Sequence, residues 1–298
     1  MDVRRLELLR ELAERGSITA VARATHRTPS AVSQQLKVLE REIGLPLTER
    51  QGRGIVLNDA GKTLARTATD IAVAIERAEA VWEAFVQAPA GEVTIATFPT
   101  AGQMFVPGLL AAAAAHPGLS LLVTDRDPPL NDFPRLTNDF DVVLAHSPGR
   151  PHGWRDAGLA VEELLVEPLD VALPPDHPLT AREVLTPADL VDETWIGVPV
   201  TFPFQHVLTE IERVTGRPPK VAQRFSDTRI TEAVVARGGG VAILPRFTAH
   251  SAPIALRPLI GVPSERHISA LTRRDRLERP SVRLVIELLR GEAAAVER

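Results

Sequence analysis

Residues 17–57 read SITAVARATHRTPSAVSQQLKVLEREIGLPLTERQGRGIVL, and this stretch decides the fold of the N-terminal part. Ser17 is placed to cap a helix over 18–25, in which Ile18, Val21 and Ala22 have helical spacing. The alanines at 20, 22 and 24 permit close packing. After His26-Arg27, Thr28 can cap a second helix with Pro29 at its first position, where the missing N–H costs nothing. Ala31, Val32, Leu36 and Leu39 then point inward, while Ser30, Ser33, Gln34, Lys37 and Arg41 lie mostly on other faces. Arg50, Gly52, Arg53 and Gly54 form a basic turn between two short extended pieces. Two short helices, a tight turn and a basic hairpin outline a winged helix-turn-helix, which lays its second helix in the major groove of DNA.

Upstream, Leu6, Leu8, Leu9 and Leu12 share one face of a preceding helix that Gly16 ends. The candidate DNA-contacting residues are Thr28, Ser30, Ala31, Ser33, Gln34 and Lys37 on the helix, with Arg50 and Arg53 in the wing. Gln pairs bidentately with adenine, Ser reaches bases or phosphates, and Lys and Arg reach phosphate. Taken singly, each of these residues fits a solvated amphipathic helix equally well. The cap, the turn and the hairpin together favour the DNA reading.

The chain has 298 residues, enough for two or three domains. It holds no Cys, which excludes disulfides and thiolate metal sites. The net charge of −4 looks unlike a nucleic-acid binder. Its distribution is different. Residues 1–66 carry 12 Lys/Arg against 8 Asp/Glu, and the rest carry 22 against 30. A basic head on an acidic body fits a DNA-binding module joined to something else. The N-terminus has no unbroken apolar stretch of a secretory leader, and no apolar run is long enough to span a membrane. A cytoplasmic location is expected, with no membrane partner and no cofactor.

From Asp59 the pattern changes. Leu64, Ala68, Ile71, Ile75, Ala78, Trp82 and Phe85 recur at alternating steps of four and three, a heptad seam suited to pairing with another helix. Asn58 can cap its start, and Pro89 with Gly91 ends it. The other reading is an amphipathic helix packed on its own domain. Beyond it, short branched strands alternate with helices: strands near 92–96, 119–124, 141–145, 171–173, 195–198, 221–225, 241–244 and 267–271, and helices near 105–115, 204–214, 228–237 and 282–289. That alternation predicts a parallel α/β sheet.

The N-terminal part resembles the LysR-type transcriptional regulators. The matching residues are Gly16-Ser17, Ala22, Ala24, Ser30-Ala31-Val32-Ser33-Gln34-Gln35-Leu36, Leu39-Glu40, Leu45-Pro46-Leu47, Arg50, Gly52-Arg53-Gly54, Leu57 and Ala60-Gly61. Thr48 departs from the family's usual aromatic residue, which implies a looser wing. Pro29 replaces a polar reader, which implies lost base reading there. Gly238–Pro245 (GGGVAILP) and His116-Pro117 match the family more loosely.

The resemblance implies a winged helix-turn-helix over 1–58, a linker and dimerisation helix over 59–88, and an effector domain over 89–298. The last would be an α/β fold of two subdomains, like periplasmic binding proteins, at 92–162 with 267–298 and at 163–266. It also implies a homodimer or homotetramer on palindromic double-stranded promoter DNA.

Ligands of such sheets bind at the carboxyl ends of strands, where helix N-termini point. The candidate effector contacts are therefore Thr100, Ala101, Thr124, His146, Thr201, Phe202 and Thr228. Thr100 matches a family position that contacts the effector, and a hydroxyl beside free N–H groups suits a carboxylate. Asp125, also near this strand end, would repel one. Each of these residues also has a plain structural reading, as an N-cap, a core ring or a loop histidine. His177 and His206 lack the spacing of a metal site. Two other classes share the two-lobed fold: hydro-lyase-like enzymes and solute-binding proteins. No nucleophile motif or phosphate loop supports the first, and the basic N-terminal module speaks against the second.

Overall fold

The computed structural model describes residues 2–51, 54–86, 90–150, 152–200 and 202–296. They divide into two compact units: Met1–Ala90 with Arg273–Arg283, and Gly91–Thr272 with Leu284–Arg298.

The first unit opens with helix α1 (Val3–Arg15), which Gly16 terminates in the left-handed conformation at φ 69°. Helix α2 (Ile18–Ala24) is capped by Ser17, whose hydroxyl accepts from the Ala20 N–H at 3.1 Å. Helix α3 (Pro29–Ile43) is capped in the same way by Thr28, which accepts from the Ala31 N–H at 3.2 Å. Between these two helices His26 takes φ 51°, a left-handed conformation that side chains rarely adopt. Strands β1 (Thr48–Gln51) and β2 (Gly54–Leu57) form the antiparallel wing. Helix α4 (Asp59–Val86) begins at Asn58, whose side chain accepts from the Gly61 N–H at 2.9 Å.

Leucines 6, 8, 9, 12, 36, 39, 47 and 57 bury together with Val21, Val32, Ala65 and Ala68. A side chain at Gly61 would run into the Leu47 carbonyl oxygen, so only glycine lets α4 lie this close to the wing. Thr48 does not loosen the wing as its sequence position implies. Its hydroxyl donates to Glu40 Oε1 at 2.9 Å, and the same oxygen accepts the Leu47 and Thr48 N–H groups at 2.8 and 3.0 Å. Ala31 is half-buried rather than turned fully inward.

Helix α4 uses its heptad seam unevenly. Leu64, Ala68 and Ile71 pack into the unit's own core. Farther along, Ile75 is 37 % and Trp82 67 % exposed, and Ala78 is exposed as well. Phe85 lies where no side chain is described. The segment Arg273–Arg283 completes the unit through buried charges. Arg10 donates to Asp275 at 2.7 Å, and Arg273 bonds both Asp275 (3.1 Å) and Glu14 (2.8 Å).

The second unit carries β3 (Gly91–Thr97), α5 (Pro99–Ala113), β4 (Leu119–Asp125), α6 (Phe133–Leu136), β5 (Val142–Ser147), α7 (His152–Asp156), β6 (Leu159–Leu173), β7 (Thr194–Gly197), α8 (Gln205–Thr215), β8 (Lys220–Arg224), α9 (Thr228–Val235), β9 (Ala242–Pro245), β10 (Ala255–Arg257) and β11 (Glu265–Arg273). The sheet path β10-β6-β11-β5-β3-β4 is mixed, not parallel throughout. Strands β4 and β5 run parallel to β3, whereas β11 runs antiparallel to β5, and β9 and β10 antiparallel to β6. The 15-residue β6 spans both groups. Only its last three residues, 171–173, are evident as a strand from sequence.

A separate parallel pair, β7-β8, packs over a core of Trp195, Phe204, Val207, Leu208 and Ile211. The chain continues into α10 (Arg274–Leu277) and α11 (Pro280–Val296). No described helix is long and apolar enough to cross a membrane.

Candidate functional site

On the first unit, α3 turns one polar face outward. Ser30, Gln34, Lys37 and Arg41 are exposed, Ser33 is half-buried, and Thr28 is exposed beside Ser30, with 3.0 Å between their hydroxyls. Gln34, Lys37 and Arg41 also line a shallow groove with Gly44, Leu45 and Pro46. Arg50 is exposed on β1. Arg53 lies outside the described residues. Gln35, though central in the motif, is occupied as the acceptor for Arg5 Nε at 3.1 Å.

In the second unit a cavity of about 920 Å³ gathers four of the seven effector candidates: Thr100, His146, Phe202 and Thr228. Ala101 is fully buried and Thr124 half-buried, and neither lines it. Thr201 is outside the described residues.

Thr100 sits in the first turn of α5, after Phe98-Pro99, and no side chain caps that helix. The N–H groups of the first turn therefore face a site suited to an acceptor. Arg266, from β11, donates through Nη2 to the Thr100 hydroxyl at 2.8 Å and through Nε to Glu167 at 2.8 Å. Both members of this ion pair are buried, and the other Glu167 oxygen accepts from the Phe247 N–H at 3.0 Å. The Arg266 guanidinium stands 5.2 Å from the ring centres of both Phe98 and Phe204, a cation–π arrangement.

His146 is wedged edge-on between Phe98 (4.6 Å between centroids) and Phe133 (5.1 Å). Its Nδ1 has no hydrogen-bond partner. Burial first, and the Arg266 charge second, press its pKa down to about 3. The ring is therefore neutral at physiological pH. Asp125 and Asp127 line the cavity at the end of β4. Crowding by the cavity wall, then the Asp125 carboxylate, raise Asp127 to about 6 against the pull of Arg266, although its surface reaches solvent.

Also lining the cavity, Asp227 caps α9 and holds Arg229 through Nε and Nη2 at 3.1 and 2.9 Å. The Arg229 hydrogen bonds keep the Asp227 carboxyl below its ordinary value. His206 bonds the Pro203 carbonyl (2.6 Å) and His177 faces Glu193 (3.3 Å), each a local structural contact.

Arg266 and Asp127 are the site residues that sequence reasoning missed, while Phe98 and Phe204 lie in the strand-to-helix turns that it singled out. Arg266 lies 166 positions from Thr100, and no local spacing signals it. An arginine within a hydrophobic strand is the one available hint.

Comparisons with known proteins match two family models to the chain. The model "Bacterial regulatory helix-turn-helix protein, lysR family" matches residues 3–62, and "LysR substrate binding domain" matches 87–294. The HTH-type transcriptional regulator CbbR of Xanthobacter flavus is 31 % identical over 98 % of this chain and 88 % of its own. The RuBisCO operon transcriptional regulator of Allochromatium vinosum is 32 % identical over 66 % of this chain and 63 % of its own length. A full-length OxyR variant of Pseudomonas aeruginosa shares the fold with a TM-score of 0.62 at 23 % identity, over 97 % of this chain and 98 % of that one. With both domain models covering nearly all of its length, the chain belongs to the LysR family, as a DNA-binding transcriptional regulator controlled by a small-molecule effector.

Proposed function

We propose that α3 reads the major groove through Ser30, Ser33, Gln34 and Lys37, with Thr28 and Ala31 at its entry and Arg50 and Arg53 on the flanking backbone. The exposed polar face of α3 supports this assignment. The outer half of α4, with Ile75, Ala78 and Trp82 at the surface, pairs with a second copy. A dimer, or a dimer of dimers, then matches a palindromic site. The functional domains are 1–58, 59–88 and 89–298, with the effector domain split at 92–162 plus 267–298 and at 163–266. The protein works on DNA in the cytoplasm.

The effector binds in the cavity at Thr100, His146, Phe202 and Thr228, and the convergence of these four residues from distant strand ends carries the proposal. The protein senses its ligand rather than converting it. The Thr100 hydroxyl faces a guanidinium, not a base, and burial, then the Arg266 charge, make His146 a weak base.

Two variants test the assignment. Gln34→Ala with Lys37→Ala loses specific DNA binding by about tenfold or more, while Thr100→Ala keeps DNA binding and loses the response to effector. Unchanged operator affinity in the α3 double variant overturns the reading of that helix.

A further inference from the structure

We infer that the ligand of this cavity carries a cationic amine, held by Asp125 and Asp127, together with an acceptor end seated at Thr100 and the first turn of α5. The inference rests on the cavity being the effector site and specifies what that site takes.

A tally of charge around the cavity leads to it. Two cations line the walls, and both are already matched. Arg266 is paired with the fully buried Glu167. Arg229 is paired with Asp227. Asp125 and Asp127 have no ion pair among the described residues, so they leave the cavity with two unmatched carboxylates. Burial against the cavity wall first, and the Asp125 carboxylate second, raise the proton affinity of Asp127. A ligand bearing only negative charge adds to the repulsion between the two carboxylates. A ligand bearing an ammonium relieves it, with up to three N–H donors for the carboxylate oxygens. The two aspartates do not make a metal site, because no group of three potential metal-ligating His, Asp or Glu residues occurs among the described residues.

A second observation points to a polar ligand independently of the aspartates. His146 Nδ1 is buried, lacks a hydrogen-bond partner and belongs to the cavity wall. A buried polar atom left this way is costly unless something else supplies its bond. The acceptor end has its own anchor. Thr100 accepts from Arg266, which leaves its hydroxyl hydrogen for the ligand, beside the uncapped N–H groups of α5. Phe98, Phe202 and Phe204 add apolar surface to the cavity wall. A small zwitterion, with an amine at one end and a carboxylate at the other, satisfies all three groups.

The test is a thermal-shift series on the full-length protein at millimolar ligand. The set contains α-amino acids and short ω-amino acids, matched with the carboxylic acids that lack the amine. Amine-bearing members raise Tm by several degrees, and their desamino counterparts do not. Asp125→Asn with Asp127→Asn weakens the best hit by about tenfold or more, whereas its unliganded Tm shows the fold intact. If the desamino acids give the shift, and the double variant strengthens it while Thr100→Ala weakens it, the amine inference falls and the cavity reading survives. A shift insensitive to Thr100→Ala and to the aspartate variants overturns both. No shift with any amine-bearing member also overturns the inference.

Discussion

His146 and Asp127 face the same cavity and are pushed in opposite directions along the pH axis. For His146 the folded pKa of about 3 lies below the ordinary 6.5. The unfolded chain therefore takes the proton first, and stability falls as pH drops from about 6.5 towards 3. His146→Phe removes this loss, so the gap in Tm between variant and wild type widens in the variant's favour on acidification. NMR of the wild-type imidazole shows a neutral ring at pH 5. Asp127 has the reverse sign. Its folded value of about 6 stands above 3.8, so its contribution is fully present below the lower value and is lost as pH rises through 6. Asp127→Asn is expected to raise Tm at pH 7 by roughly 2 °C, after allowance for screening in an open cavity. That gain vanishes near pH 4, and a gain of the same size at both pH values refutes the assignment. Of these two residues only His146 is legible as a site candidate in the sequence, because it ends a strand. The environment that sets its pKa comes from Phe98 on one side and Phe133 on the other, and pairings of that kind depend on the sheet order.

Among the elements, the short turn formed by α10 has more weight than its four residues imply. Burial pushes the Asp275 carboxyl up, but Arg273 and Arg10 outweigh that and hold it below its ordinary value. Glu14 in the same cluster rises, because its burial outweighs the Arg273 attraction. Removing Asp275 leaves two buried guanidinium groups without their shared partner. Asp275→Asn is therefore expected to cost the first unit about 3 kcal/mol in chemical denaturation. A loss well under 1 kcal/mol would mean that water takes the place of the carboxylate.

Helices α1 to α4 are legible in the sequence because caps and apolar periodicity agree there: Ser17, Thr28 and Asn58 at three starts and Gly16 at one end. Strand β6 is legible only at its tail. Glu162, Glu163 and Glu167 with Pro168 interrupt its apolar pattern, and one of those glutamates is the buried partner of Arg266. The parallel-sheet expectation fails for a related reason. Alternation of strands and helices holds in β3-α5-β4, but β6, β9, β10 and β11 pair antiparallel across long sequence separations. Helix α5 starts at Pro99 rather than near 105, since Thr-Phe-Pro-Thr looks like a turn until Pro is placed at the first helical position.

The exposed half of α4 is a property of the whole molecule. Its inner half is spent on the first unit's own core, while Ile75 and Trp82 stay at the surface. Ile75→Asp with Trp82→Ala is expected to shift the protein toward monomer in analytical ultracentrifugation and to leave the cavity's ligand response in thermal shift intact. A sedimentation profile unchanged from wild type sinks the pairing assigned to α4. The same stripe has a consequence for dosage. When only paired chains grip an operator, occupancy at low abundance scales with the square of the monomer concentration. Halving the number of copies then cuts binding about fourfold. For a chain that dimerises through this stripe, the cell's rate of making it would set operator occupancy, alongside any ligand.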